Sequence, residues 1–228
     1  MNEAKLLKDI RKYLGSSTIL DSISENKIGK ILEEIKHDYT PRHIYGVYDV
    51  SIKKSTILFT GTILSINSQN LSTVLKDSEK CIILACTLGI EIEQKLKQFS
   101  KSNIEDGILY DAVSAAYIES YLDDVNLKLS KTYLDKGFYM TMRFSPGYGD
   151  VGLEVQPTIL DILQAQKRIG LTTNDTHLLI PRKSITAFIG LQRTPYKNSE
   201  DRCAYCSIRN ICELRKGGKY CGTTQNTK

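Results

Sequence analysis

Four cysteines near the C-terminus have the spacing of a metal site: Cys203, Cys206, Cys212 and Cys221 follow the pattern C-x2-C-x5-C-x8-C. Thiolates are soft, anionic ligands, and a C-x2-C pair turns two sulfurs toward one metal without strain. The segment around them is too polar to build a core. Four thiolates suit either a [4Fe–4S] cluster or tetrahedral zinc, and spacing alone does not separate the two. Zinc sites more often pair two C-x2-C knuckles or mix Cys with His, so the cluster is favoured, with zinc as the alternative. A disulfide knuckle is disfavoured in a reducing compartment.

The second feature is the run Arg143-Phe144-Ser145-Pro146-Gly147-Tyr148-Gly149-Asp150. An arginine at a strand end can hold a carboxylate in bidentate fashion, glycines let a ligand approach the backbone, and Tyr148 offers an aromatic face. The same composition also makes an ordinary turn whose arginine pairs with a nearby acid. Cys81 and Cys86 flank a buried strand at an odd offset, so they point to opposite faces and read as core. His37, His43 and His177 are isolated in sequence. The sequence holds no G-x-S-x-G, P-loop or H-E-x-x-H motif, which leaves serine hydrolase, nucleoside triphosphatase and zincin readings without support.

The elements that must position these residues can be traced from apolar periodicity. Helices are expected over about residues 1–39, where Leu6, Leu7, Ile10 and Leu14 share one face and Ile28, Ile31, Leu32 and Ile35 share another. From Tyr45 to Ser65 the pattern predicts two antiparallel strands separated by Lys53-Lys54-Ser55. A short helix at Leu71–Leu75, a strand at Cys81–Cys86 and a helix carrying Ile90, Ile92, Leu96 and Phe99 follow. Asn103 to Leu134 has the strongest helical periodicity, with small residues at its centre that permit close packing. A strand over Phe138–Phe144 then leads into the Gly-rich loop, and a helix over about Val155–Arg168 ends at Gly170. Two short strands, Thr176–Pro181 and Ser184–Leu191, are separated by Arg182-Lys183. The strand pairs look antiparallel, which predicts an α+β fold: a mainly antiparallel sheet with packed helices, plus a small cysteine-rich metal-binding tail.

That Gly-rich run belongs to a wider pattern. Arg143, Gly147 and Tyr148 after a strand, then Leu171 and Thr172, then Pro181, Ser184, Ile185 and Thr186, resemble the activation domain of vitamin B12-dependent methionine synthase. Cys86-Thr87-Leu88-Gly89, followed by a long helix, is similar to short, free-standing members of that superfamily. The resemblance spans about residues 40–192. It implies S-adenosylmethionine bound at Arg143, Pro146, Gly147 and Tyr148, with Arg143 on the methionine carboxylate. It further implies reductive reactivation of a cobalamin held by a partner methionine synthase subunit, so that this chain is an accessory component. On the long helix, the position where the family offers a carboxylate corresponds to Ala115, with Asp111 and Glu119 one turn away; the acid after the loop helix is displaced to Asp175. A fused [4Fe–4S] cluster would relay an electron from a flavodoxin or ferredoxin donor. A zinc-stabilised module that docks on a corrinoid protein without redox chemistry is the competing expectation.

Charge divides the chain at the same place. Residues 1–192 carry 23 Lys/Arg and 23 Asp/Glu, whereas residues 193–228 carry 8 and 3, so the net +5 lies wholly in the tail. The expected domains are therefore a body, 1–192, and a tail, 193–228. Arg202, Arg209, Arg215, Lys216 and Lys219 would offset the charge of about −2 on a four-thiolate centre. Tyr196, Tyr205 and Tyr220 among these bases also suit a phosphate backbone, but the neutral body disfavours nucleic acid. The longest apolar run, Cys81–Cys86, is far short of a membrane span, and the N-terminus lacks a secretory pattern; a cytoplasmic protein is expected.

Overall fold

The structure, a computed structural model, describes residues 3–15 and 22–196. The four tail cysteines, Cys203, Cys206, Cys212 and Cys221, lie outside the described residues. In chain order the elements are α1 (Glu3–Tyr13), α2 (Ser22–Asp38), β1 (Arg42–Lys53), β2 (Thr56–Phe59), β3 (Ser65–Asn67), α3 (Gln69–Leu75), β4 (Ser78–Thr87), α4 (Ile90–Ser102), α5 (Ile104–Leu134), β5 (Tyr139–Met140), α6 (Gln156–Leu163), α7 (Ala165–Ile169), β6 (Thr172–Thr173), β7 (Leu179–Ile180) and β8 (Ser184–Gln192). Six strands form one sheet in the order β3-β2-β1-β4-β8-β5, and every pair is antiparallel. The fold is α+β, with helices on both faces of that sheet.

The apolar run Cys81–Cys86 becomes the middle of β4 because only a strand flanked on both edges and covered on both faces can bury a continuous apolar run. β1 and β8 flank it. Ile82, Leu84 and Cys86 face α1, α2, α4 and α5, while Cys81, Ile83 and Ala85 face α3, α6 and α7. The two cysteines are on opposite faces, as their odd offset requires. α5 is capped by Asn103, whose side chain accepts from Asp106 N, and its small residues Ala112 and Ala116 are buried where α1, α2 and α4 pack against it. Among the described residues no helix is long and apolar enough to cross a membrane.

Four expectations need correction. The second strand of the pair expected over Tyr45–Ser65 stops at Phe59, and a third, β3, follows it in the sheet. The strand over Phe138–Phe144 is interrupted: only Tyr139–Met140 pair regularly, with an isolated bridge at Phe144. The helix over Val155–Arg168 is a 3-10 turn (Leu153–Val155) followed by α6 and α7, broken at Gln164, whose φ of 54° is left-handed. This break lets α6 lie mainly over β4 and α7 mainly over β1, which one straight helix would not do. Gly170 ends α7 with φ 70°, the cap expected of it. The strand over Thr176–Pro181 shrinks to β7, which pairs with β6 in a separate two-stranded ribbon.

Candidate functional site

The site begins with a change of register beside β8. Tyr139 and Met140 pair with Gln192 and Leu191, and the next bridge joins Phe144 to Phe188. Four steps along one strand therefore oppose three along the other, so one extra residue is accommodated as in a β-bulge. Thr141 manages the passage: its N donates to Gly190 O at 2.9 Å and its Oγ1 accepts from Gly190 N at 2.8 Å. A Cβ at Gly190 would meet Thr141 Cγ2 at 2.9 Å, which is why glycine stands there. An extra residue reverses which face each side chain takes. Phe138 and Met140 pack into the core on the α5 side of the sheet, Met142 and Phe144 into the core on the α3 and α6 side, and Arg143 is thereby turned toward α5.

On α5, Glu119 and Asp123 stand four residues apart and so share one face. Arg143 Nη2 donates to Glu119 Oε2 at 3.1 Å and to Asp123 Oδ1 at 3.0 Å, while Lys5 of α1 donates to Asp123 Oδ2. The other arm of the guanidinium, Nη1, is enclosed without an acceptor among the described residues. Burial pushes the Glu119 carboxyl up; Arg143 opposes that and Asp123 reinforces it. A cation beside two carboxylates is the charge pattern that an amino-acid zwitterion complements, guanidinium to carboxylate and carboxylates to ammonium. Cys86 lies close enough to feel Glu119 and Arg143, but burial pushes its thiol up to about 12, so it is no thiolate at neutral pH.

The loop after Phe144 is closed by its own backbone. Tyr148 N donates to Ser145 O at 3.2 Å, Gly147 N to Val151 O at 2.8 Å and Val151 N to Tyr148 O at 3.2 Å. Gly147 and Gly149 have φ of 90° and 55°, values that favour glycine. Pro146 is buried, whereas Tyr148 is 58% exposed and presents its ring to solvent. Arg143, Pro146, Gly147 and Tyr148 thus occupy one continuous segment at the edge of the sheet. Asp123 and Lys5 were not singled out by the sequence, and Asp150 entered only as the last residue of the loop, with no role; the four-residue spacing of Glu119 and Asp123 is the one local signal that points to a shared face.

Other candidates are placed apart. Asp111 pairs with Lys183 at 2.8 Å rather than with Arg143. Thr87 and Ser184, the latter from the resemblance pattern, form a small polar cluster, with Ser184 Oγ donating to Thr87 Oγ1 at 2.8 Å. Asp175 is exposed in the β6–β7 turn, and His43 Nδ1 meets the Tyr121 hydroxyl at 2.7 Å. Among the described residues no group of three or more His, Cys, Asp or Glu side chains is arranged to hold a metal ion.

No family profile and no curated protein matches the sequence. Among solved structures, the chain is similar to the one described as the crystal structure of the MetH reactivation domain bound to AdoHcy. The superposition has a TM-score of 0.61 at 13% identity and covers 90% of this chain and 75% of that one. The sheet with its two helical layers therefore has the fold of the MetH reactivation domain.

Proposed function

We propose that this chain binds S-adenosylmethionine at Arg143, Pro146, Gly147 and Tyr148 and assists reductive methylation of a corrinoid held by a cobalamin-binding methionine synthase partner. The observation that carries the reading is Arg143 itself. Its guanidinium is turned onto the acidic face of α5 with one arm on Glu119 and Asp123 and the other arm lacking an acceptor among the described residues. The methionine end of the ligand carries a carboxylate for that arm and an ammonium for the two acids. The likeness in fold to a domain crystallised with AdoHcy supports the same ligand class. The partner's corrinoid would gain one electron and the sulfonium methyl group, leaving S-adenosylhomocysteine.

Cys203, Cys206, Cys212 and Cys221 are assigned to a [4Fe–4S] cluster that relays the electron from a flavodoxin- or ferredoxin-type donor; their donor set of four thiolates suits that centre. Two measurements test the proposal. Calorimetry with S-adenosylmethionine is expected to show binding that Arg143→Ala weakens by about 10- to 100-fold, as loss of a charge-assisted bidentate contact does. No binding by the native protein would remove the methyl-donor role. Anaerobic purification is expected to give absorption near ~400 nm that dithionite bleaches, with about four irons per chain. A colourless protein with one zinc would instead support the non-redox docking module.

A further inference from the structure

The backbone bonds of the Gly-rich loop close upon the loop, but Asp150 reaches out of it. Its carboxylate accepts from Ser68 Oγ, from Gln69 N at 2.7 Å and from Asn70 N at 3.3 Å, all at the start of α3. Ser68 is the N-cap of that helix: its Oγ accepts from Leu71 N at 2.9 Å while its proton goes to Asp150. Ser68 is buried, its N donates to Ser55 O at 2.8 Å, and α3 is anchored in the core by Leu71, Val74 and Leu75. The loop also approaches α3 closely, for a Cβ on Gly149 would meet Asn70 Oδ1 at 2.7 Å. Burial alone would push the Asp150 carboxyl up, yet the bonds from Ser68, Gln69 and Asn70 override it and hold the group below its ordinary 3.8.

These contacts give the two halves of the ligand segment separate supports. Arg143 is oriented by α5, on one face of the sheet; the loop four residues later is tied to α3, packed on the other. The relative placement of guanidinium and loop therefore depends on the tie to α3 as well as on the packing of Phe144 and Val151 in the core. We propose that Asp150 is a positioning residue that clamps the loop to the start of α3 and so sets Gly147 and Tyr148 in register with Arg143 for the adenosyl ligand. This rests on the S-adenosylmethionine reading of the loop. An anionic side chain suits the role because all three partners are donors; an asparagine in its place keeps one acceptor oxygen and loses the charge.

The test measures S-adenosylmethionine affinity by calorimetry and loop amide exchange in the free protein, for Asp150→Ala and Asp150→Asn. In Asp150→Ala both the dissociation constant and exchange at residues 147–149 are expected to rise about tenfold, the factor for a cap energy of about 1.4 kcal/mol. Exchange in β4 and α5 is expected to stay at the native rate, and Asp150→Asn to fall between the two. Ser68→Ala is expected to weaken binding less in the Asp150→Ala background than alone, because the two share one bond. Native affinity in Asp150→Ala would overturn the proposal, and faster loop exchange with native affinity would reduce Asp150 to a structural tie. If Asp150→Ala raises exchange throughout the chain, Asp150→Asn decides by the same two readouts. If the native protein binds no S-adenosylmethionine, the ligand reading fails by itself, and native loop exchange in the variants would then also overturn the clamp.

Discussion

On one face of the central sheet α5, braced by α1, α2 and α4, presents Glu119 and Asp123 to Arg143 from a long helix buried along much of its length. On the other face α3 is only seven residues long and holds the loop through hydrogen bonds to Asp150. The first support is apolar packing and is insensitive to local polar changes; the second is a polar clamp that single substitutions can release. A ligand segment that crosses between them inherits rigidity at the arginine and adjustability at the loop. The extra residue between Met140 and Phe144 is what makes the crossing possible, since a straight strand would put Arg143 and the α5 acids on opposite faces.

The largest effect is expected where that residue is removed. Deleting Met142 would restore strict alternation with Arg143 still on the α5 face and Phe144 in the opposite core; loss of the half-buried Met142 side chain from that core is expected to cost about 2–5 kcal/mol, read as a lower urea midpoint. Next are two adjacent core positions. Ile82 and Ile83 are both fully buried but face opposite layers, so alanine at either is expected to cost about 2–5 kcal/mol. Hydrogen exchange distinguishes them: Ile82→Ala should loosen α5, and Ile83→Ala should loosen α3 and α6. The same pattern of loosening from both variants would mean that the faces do not act separately.

Smaller effects sharpen the picture at the site. Glu119→Gln and Asp123→Asn are expected to weaken S-adenosylmethionine binding by about tenfold each, as loss of a charge-assisted contact does, with the thermal midpoint nearly unchanged because both carboxylates are partly exposed. Equal losses of affinity and stability would assign the acids to structure instead. The smallest expected change is with pH. Burial, with Lys128 adding, holds His43 below its ordinary 6.5. The folded chain favours the neutral ring, so this contribution is fully present above pH 6.5 and is lost as pH falls from 6.5 through the lower folded value. His43→Gln is expected to flatten the slope of stability against pH in that window.

Strong local patterns carried much of the architecture. The periodicity of Asn103–Leu134, the run Cys81–Cys86 and the stop at Gly170 each express a local rule, and each element formed where that rule placed it. The failures share a different cause. Phe138–Phe144 alternates no differently from an uninterrupted strand, because a bulge is dictated by the partner strand, here by Gly190 accepting the close approach of Thr141. Val155–Arg168 holds no glycine and no proline after Pro157 to announce a break, and its break at Gln164 answers to the placement of β1 and β4 beneath it. At the site, Arg143 and the loop could be seen as candidates from residue type alone. Of their partners, Glu119 entered only as a neighbour of Ala115, and Asp123 and Ser68 not at all: Glu119 and Asp123 are 24 and 20 residues upstream of Arg143, and Ser68 is 82 residues before Asp150.

The sequence by itself determined the α+β class, the burial of β4, the opposed faces of Cys81 and Cys86, and the division of charge between a neutral body and a basic cysteine tail. These follow from period, composition and spacing, which are properties of neighbouring residues. Only the tertiary structure decided which face receives Arg143, which acids meet it and which helix holds the loop. Those outcomes depend on register between strands and on contacts across long sequence separations, where one residue more or less exchanges a core position for a site position.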